Sequence, residues 1–519
     1  MNSAQEHPNF LIICTDQMRA DHMGCAGNPV IRTPHLDALA AQGVNLSRAY
    51  VNCPLCMPGR ATLFTGLTPR GHRVRTNGIP LDPSFPTVPG ALTEAGYQTG
   101  SIGKIHLSVF GYGQRPDLSL LPPDRFPEII DHWKAGRIEH VPVPYFGLQH
   151  LEITVGHGTE VYGDYGVWLQ REHPDKWQLL QSTPAGPSRL GAEGCGTFPL
   201  EERYHHTAYV ADRTIAYLRQ HEGDQPFYLM CSFPDPHHPY YPPSPWDRMV
   251  SPEEVVPPVN REGELDDLAP FFREIYERSL QLSGRSRPTK MVQAHRLEIL
   301  AYTYGMVSLI DRHVGRILDA LDELDISDNT VVVFLSDHGD MMGDHGLLNK
   351  GPFHFEGLLR VPMIWRWPSR FRPAASPALV SLLDVPPTIL ELAGVAIPEG
   401  FASPEAPQQP PAWPGRSLAG LLAGRADTVQ DSVVIENDED YLGLRLRTLI
   451  TRTHKITTYT GHRGPEPYGE LFDLANDPHE LHNLWASRAH VKLRRQLIEQ
   501  LHYRLTETDI ALPRRIGHA

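Results

Sequence analysis

No stretch of the sequence comes near the ~18 consecutive apolar residues that a membrane-spanning helix requires, so no spanning helix is expected. Basic residues are in the minority. The 47 lysines and arginines stand against 61 acids, a net charge of −14. That balance argues against nucleic acid or an anionic membrane as the main partner. It leaves room for an anionic substrate, because a local basic pocket overrides the global sign. Cysteines number six, at 14, 25, 53, 56, 195 and 231. The start, MNSAQEHPNFLIICTDQ, carries no basic leader and too short an apolar run for a signal peptide. A cytoplasmic location follows as the expectation, with free thiols and no disulfide framework. Internal repeats are absent.

Proline is abundant. Its 49 positions are roughly twice the ordinary share, so many loops are stiff and irregular. With 519 residues, two domains or one large domain with an appendage are expected. NFLIICT (9–15) and FYLMCSF (227–233) are continuous apolar runs, the pattern of buried parallel strands. GYQTGSIGKIHL reads as another strand ending near Lys104, and DNTVVVFLSDHGD as a strand with a polar end at Asp337. Helical patterns cover 33–42, 61–65 (with Cys56 at its N-terminal approach), 206–221 and 295–323. This alternation predicts an α/β sheet sandwiched by helices. SPEAPQQPPAWPG (403–415) is a proline-rich break. Beyond it SVVIEN, LRLRTLITRTHKITTYT and GELFDL read as antiparallel strands and 487–507 as a helix. The expected division is a catalytic domain over 1–415 and a smaller C-terminal α+β domain over 416–519. Residues 110–200 read as an insertion or lid. Its aromatics Tyr145, Phe146, Tyr162, Tyr165 and Trp168 either line a pocket or pack the lid.

In an open α/β sheet the chemistry lies past the carboxyl ends of the strands. Asp16, Lys104, His237 and Asp337 all fall there. Asp16–Gln17 and Asp337–His338 offer oxygen ligands and one imidazole, a set that suits Ca²⁺, Mg²⁺ or Mn²⁺ better than zinc. VNCPLCMPGRATLFTG (51–66) holds Cys53 and Cys56 in CxxC spacing. A zinc site requires a second such pair, which is missing, and a thioredoxin-like pair requires a helix start after a strand. The remaining four cysteines read as packing residues.

Counted from Cys56, the same stretch gives C-x-P-x-R, a helix and TG. This resembles the signature of the type I, formylglycine-dependent sulfatases of the alkaline phosphatase superfamily. The family usually has Ser where this chain has Gly59. NFLIICTDQMRADHMGCAGNPVIRTPHLDALAAQGV, GKIHL, DPHHP, SDHGDMMGDHGLLNKG and GELFDLANDPHELHNL resemble further segments in the family's order. The resemblance runs from about 8 to 485. It implies an alkaline-phosphatase-like mixed sheet and conversion of Cys56 to formylglycine by a maturation enzyme. The implied metal ligands are Asp16, Gln17, Cys56, Asp337 and His338, around one divalent ion, Ca²⁺ with Mn²⁺ as the alternative. It implies that Arg60 orients the nucleophile and that Lys104 and Lys350 cradle the substrate's charge. His106 and His237 fall in place for proton transfer or oxygen contacts. Lys104, His237 and Lys350 are the implied substrate-binding residues; Asn77, in RTNG, is a further candidate for substrate contact, with a turn role as the alternative.

The expected activity is hydrolysis of small anionic sulfate esters. Asp-Gln and Asp-His, one carboxylate fewer than many sulfatases carry, resemble the branch of phosphonate monoester hydrolases and choline sulfatases. Phosphonate monoester or phosphodiester hydrolysis is therefore the competing expectation. A non-catalytic binder on a decayed scaffold would have lost the cysteine, the arginine or a metal acid, and none is lost. The basic tail ALPRRIGHA raises the expectation of a homo-oligomer.

Overall fold

The computed structural model describes residues 7–111, 118–221, 223, 225–261, 263–269, 271–274, 292–398, 413–440, 442–461 and 468–507. Most of the proline-rich break and the whole basic tail lie outside the described residues.

A ten-stranded mixed sheet organises the larger part. Its strands are β1 (Asn9–Thr15), β2 (Val44–Tyr50), β3 (Gln98–Gly103), β4 (His150–His157), β5 (Glu160–Gly163), β6 (Phe227–Ser232), β7 (Thr330–Ser336), β8 (Arg360–Val361), β9 (Met363–Arg366) and β10 (Ala374–Ser381). The order is β10-β2-β9-β7-β1-β6-β3-β4-β5, with β8 pairing on β2. The run β7-β1-β6-β3-β4 is parallel throughout. Thr15 pairs with Ser336, and Gly103 with Ser232. All five carboxyl ends therefore open on one edge, and whatever follows each strand meets there.

Side chains alternate across the sheet because the strand period is two. Phe10, Ile12, Val331 and Val333 enter one core; Leu11, Ile13, Val332 and Phe334 enter the other. Burial on both faces is why these strands read as unbroken apolar runs. Helix α1 (Pro34–Gln42) and the helices His206–Gln220 and Gln293–Glu323 cover one face. Helix α2 (Cys56–Thr65) and the helix Val385–Ala393 cover the other. Helix α2 starts at Cys56 itself, earlier than the expected Ala61.

Two strands lie inside the region expected to be a lid. β4 and β5 extend the main sheet, with β4 parallel to β3 and antiparallel to β5. Of the aromatics in question, Tyr165 donates to the Tyr204 carbonyl at 2.8 Å and packs on Trp168 and Tyr209. These are packing contacts.

A second sheet, β11 (Ser432–Glu439), β12 (Leu444–Thr451), β13 (His454–Thr460) and β14 (Gly469–Asp473), is antiparallel in that order. The expected single run 444–460 is a hairpin that turns at Arg452–Thr453. One face of this sheet takes Leu497 and Leu501 of the helix Val491–Glu507. The other packs Leu444, Leu446 and Phe472 against Phe353 and Phe355. Asn437 Nδ2 donates to the Gly351 carbonyl at 3.3 Å, and buried Lys455 donates to the His354 carbonyl. The smaller sheet thus holds down the segment that carries Lys350. No helix among the described residues is long and apolar enough to cross a membrane.

Candidate active site

Asp16 and Asp337 follow β1 and β7, neighbours in the sheet, and both are fully buried. Cys56, at the first turn of α2, brings Sγ to 3.6 Å from Asp16 Oδ1 and 3.1 Å from His338 Nε2. His338 Nε2 lies 3.6 Å from Asp16 Oδ1 and 3.8 Å from Asp337 Oδ1. One atom each from Asp16, Cys56, Asp337 and His338 lies within 4.8 Å of the other three. His338 Nδ1 faces the Gly339 carbonyl at 2.8 Å, which turns Nε2 to the centre of the cluster. Two carboxylates, an oriented imidazole and the side chain of residue 56 fit a hard or borderline divalent ion. Gln17 (φ +70°) turns its Oε1 toward Lys350 Nζ at 3.0 Å. Its Nε2 donates to Asp340, a buried acid that the sequence reading passed over.

Three buried cations surround the acids. Arg60 donates from Nε to Asp337 at 2.7 Å and from Nη1 to the Lys104 carbonyl and Ser232 Oγ, at 2.6 and 2.9 Å. Lys104 Nζ pairs with Asp16. Lys350 Nζ lies 2.9 Å from Cys56 Sγ and 3.1 Å from His237 Nε2. Burial opposes ionisation of Asp16, but Lys104, His237 and Lys350 together hold its carboxyl well below the usual carboxylate range. Burial and the Asp16 charge likewise resist ionisation of Cys56. Lys104, Lys350 and His338 outweigh them and bring the thiol below its ordinary value. Its place at a helix N-terminus acts in the same direction. Cys53 is the opposite case: burial pushes its thiol well up. All six cysteines are free.

His106 (φ +55°) stacks on Phe110 at 3.8 Å between ring centres and lines the cavity above the cluster. Glu128 holds the segment after it by accepting the Leu107 and Ser108 amides at 3.0 and 2.8 Å. Asn77 accepts the Met57 amide at 3.0 Å and also lines the cavity, so it joins the turn to the start of α2. An extended DPHHP segment would aim only one histidine inward. The loop is instead folded so that His237 and His238 stack at 4.1 Å and both line the cavity. His238 Nδ1 lies 3.2 Å from Gln17 Nε2. The sequence reading also missed His157, at the end of β4. It stacks on His237 at 3.7 Å and lies 3.3 Å from Lys104 Nζ. Its one signal was a position at a strand end, like the others. His345 and His354 are engaged elsewhere, by Phe355 stacking and Thr448.

The pattern of the sulfatase family matches residues 8–395. The chain belongs to the sulfatase family. It is thereby a sulfuric ester hydrolase of the alkaline phosphatase superfamily. The C-terminal pattern of N-sulphoglucosamine sulphohydrolase matches residues 343–507. An arylsulfatase of Clostridium perfringens is 30% identical over 95% of this chain and 94% of its own length. The choline-sulfatase of Rhizobium meliloti is 28% identical over 92% and 82%. The structure of a phosphonate monoester hydrolase of Agrobacterium radiobacter superposes with a TM-score of 0.77 at 25% identity, covering 96% of each chain.

This sulfatase departs from the family pattern at Gly59, where helix α2 passes close to the end of β7. A Cβ there would lie 2.8 Å from the backbone carbonyl oxygen of Asp337. Helix α2 and the end of β7 approach so closely that a side chain at 59 must push Asp337 or the helix away. Gly59→Ala is expected to lower both the melting temperature and kcat/KM, with the Cys56–Asp337 geometry displaced. Unchanged values of both would show that the close approach has no consequence.

Proposed function

We propose that this sulfatase cleaves sulfate monoesters with a formylglycine made from Cys56, beside one divalent ion held by Asp16, residue 56, Asp337 and His338, with Gln17 alongside. The observation that carries the reading is the convergence of these four donors at the strand ends, ringed by Arg60, Lys104 and Lys350. Conversion of Cys56 by a maturation enzyme supplies a hydrated aldehyde, one hydroxyl of which serves as nucleophile while the other lets the aldehyde re-form with release of sulfate. A bound divalent ion supplies Lewis acidity to that hydroxyl and to the sulfate oxygens. Ca²⁺ is the expected ion and Mn²⁺ the alternative.

The chain's own residues do the rest. Arg60 fixes Asp337 and, through Asp337, the orientation of the cluster. Lys104 and Lys350 offer fixed ammonium groups to the sulfate oxygens in a buried site, where such charges act most strongly. His106 and His237 line the same cavity as residue 56 and are the candidates for proton transfer to the leaving group. Asn77 positions the start of α2 and borders the substrate. Asp16, Asp337 and His338 are fully buried beneath the cavity floor, so their charges act with little screening by water.

The test is a side-by-side assay of the purified, matured enzyme on an aryl sulfate and an aryl phosphonate monoester. A higher kcat/KM on the sulfate supports the reading. The reverse order selects the second reading, phosphonate monoester hydrolysis, which the Asp-Gln and Asp-His pairs and the likeness to the Agrobacterium enzyme favour. Chelation offers a further check. Dialysis against a chelator is expected to abolish turnover, and either Ca²⁺ or Mn²⁺ to restore it. Full activity in chelator would sink the metal assignment.

A further inference from the structure

The cavity above the cluster has a polar floor and an apolar wall. It encloses about 790 Å³, a volume that takes a drug-sized molecule and far exceeds a single ring. The floor is the histidine and lysine group already described. The wall is Val109, Phe110, Leu121 and Phe126, all from the segment that follows β3, with Tyr241 from the loop after β6. Among the described lining residues Glu160 is the one acid, and none is an arginine. Among the described lining residues outside the floor, the amide of Asn77 already spends its oxygen on the Met57 backbone, and Thr159 adds one aliphatic hydroxyl.

We infer that the substrate's leaving group is a bulky apolar alcohol or phenol, of fused-ring size, bearing a single sulfate. The inference rests on the sulfatase reading and names the substrate class for that site. Sugar hydroxyls pressed against Val109, Leu121 and Phe126 would lose their water partners and find none in return. A second sulfate or a carboxylate would be placed against these apolar side chains or beside the like charge of Glu160. An apolar ring system gains from the same wall, in proportion to the area it removes from water. The aromatic side chains offer flat faces to it.

The experiment compares substrates matched in leaving-group chemistry. 2-Naphthyl sulfate is set against phenyl sulfate, and decahydro-2-naphthyl sulfate against N-acetylglucosamine 6-sulfate. The larger apolar member of each pair is expected to have a kcat/KM at least about tenfold higher. Phe126→Ala, and the milder Phe126→Leu should the first fold poorly, is expected to raise KM for 2-naphthyl sulfate several-fold more than for phenyl sulfate. A binding arm needs no catalysis. Sulfate-free 2-naphthol is titrated into the Cys56→Ala protein by its fluorescence, with and without Phe126→Ala. Binding weakened by the second substitution supports the inference. Turnover without ring-size preference, or with the sugar sulfate ahead, overturns it and leaves the sulfatase reading standing. Binding of 2-naphthol without turnover of any sulfate ester sinks the sulfatase reading and upholds the apolar pocket. Absence of 2-naphthol binding overturns the inference.

Discussion

Cys56→Ala is expected to reduce kcat/KM on any sulfate ester by at least about a thousandfold, the scale seen when an enzyme loses its nucleophile. The side chain is 2% exposed and small, so its removal leaves packing nearly intact. Its Sγ contacts His338 and Lys350 rather than a hydrophobic layer. Stability should therefore stay close to wild type, and this separates loss of chemistry from loss of fold. Cys56→Ser is the sharper variant. A serine hydroxyl attacks once but has no second hydroxyl with which to expel sulfate. It is expected to stall after at most one turnover. In the matured wild type, the tryptic peptide 49–60 should be lighter by the change from a thiol-bearing methylene to an aldehyde. Cys53→Ala is the control. The acids that bear on its thiol are Asp438 and Glu436 of the smaller sheet, and Cys53 is not among the converging donors. Activity is expected to survive that change. A Cys53–Cys56 disulfide in the active protein, or full activity of Cys56→Ala, would overturn the assignment and reopen the redox reading.

Much of this architecture was legible because buried parallel strands announce themselves twice: as apolar runs and as polar residues at their ends. Asp16, Lys104 and Asp337 carried both signals. Their meeting point was not local information. It depends on the order β7-β1-β6-β3, which places chain segments hundreds of residues apart side by side. The same dependence hid His157. β4 alternates polar and apolar residues and, with β5, closes the sheet at one edge, so HLEITVGH gave no unbroken run. Its histidine becomes meaningful only once β4 is known to lie beside β3. His238 was hidden by backbone geometry. Sequence alone cannot say that the DPHHP segment folds so that consecutive rings share a face. Gly59 was visible as a departure from the family pattern, but the carbonyl that a Cβ there would crowd lies at the end of a strand more than 270 positions away. The aromatics of the region 110–200 split by sheet contact. Tyr165 faces the core behind β4 and β5, whereas Phe110 and Phe126 face the cavity.

Asp337→Asn is expected to be the most destabilising single substitution in the site, and inactive. Arg60 is fully buried, and Asp337 is the acid that receives its Nε. Burial opposes the guanidinium charge, and Asp337 is the largest influence that restores it. The other carboxylate that bears on the guanidinium, Asp16, is already paired with Lys104. An asparagine keeps the shape and still accepts the Gln17 amide, which now reaches Asp337 Oδ1 at 3.1 Å. It leaves the guanidinium without a charge partner. Breaking a buried pair in this one-sided way costs about 3–5 kcal/mol. The proposed metal site would lose a charged donor in the same step, so the cation-dependent rise in melting temperature expected of the wild type should shrink or vanish. Arg60→Met added to Asp337→Asn supplies the decisive comparison. With both charges gone, much of the stability is expected to return, because the cost lay in the unpaired cation. Turnover is not expected to return, because the donor set stays incomplete. A single Asp337→Asn protein as stable and as active as wild type would show that Arg60 and the cluster do not depend on this carboxylate. A double variant less stable than the single one would place the cost in lost packing instead of unpaired charge.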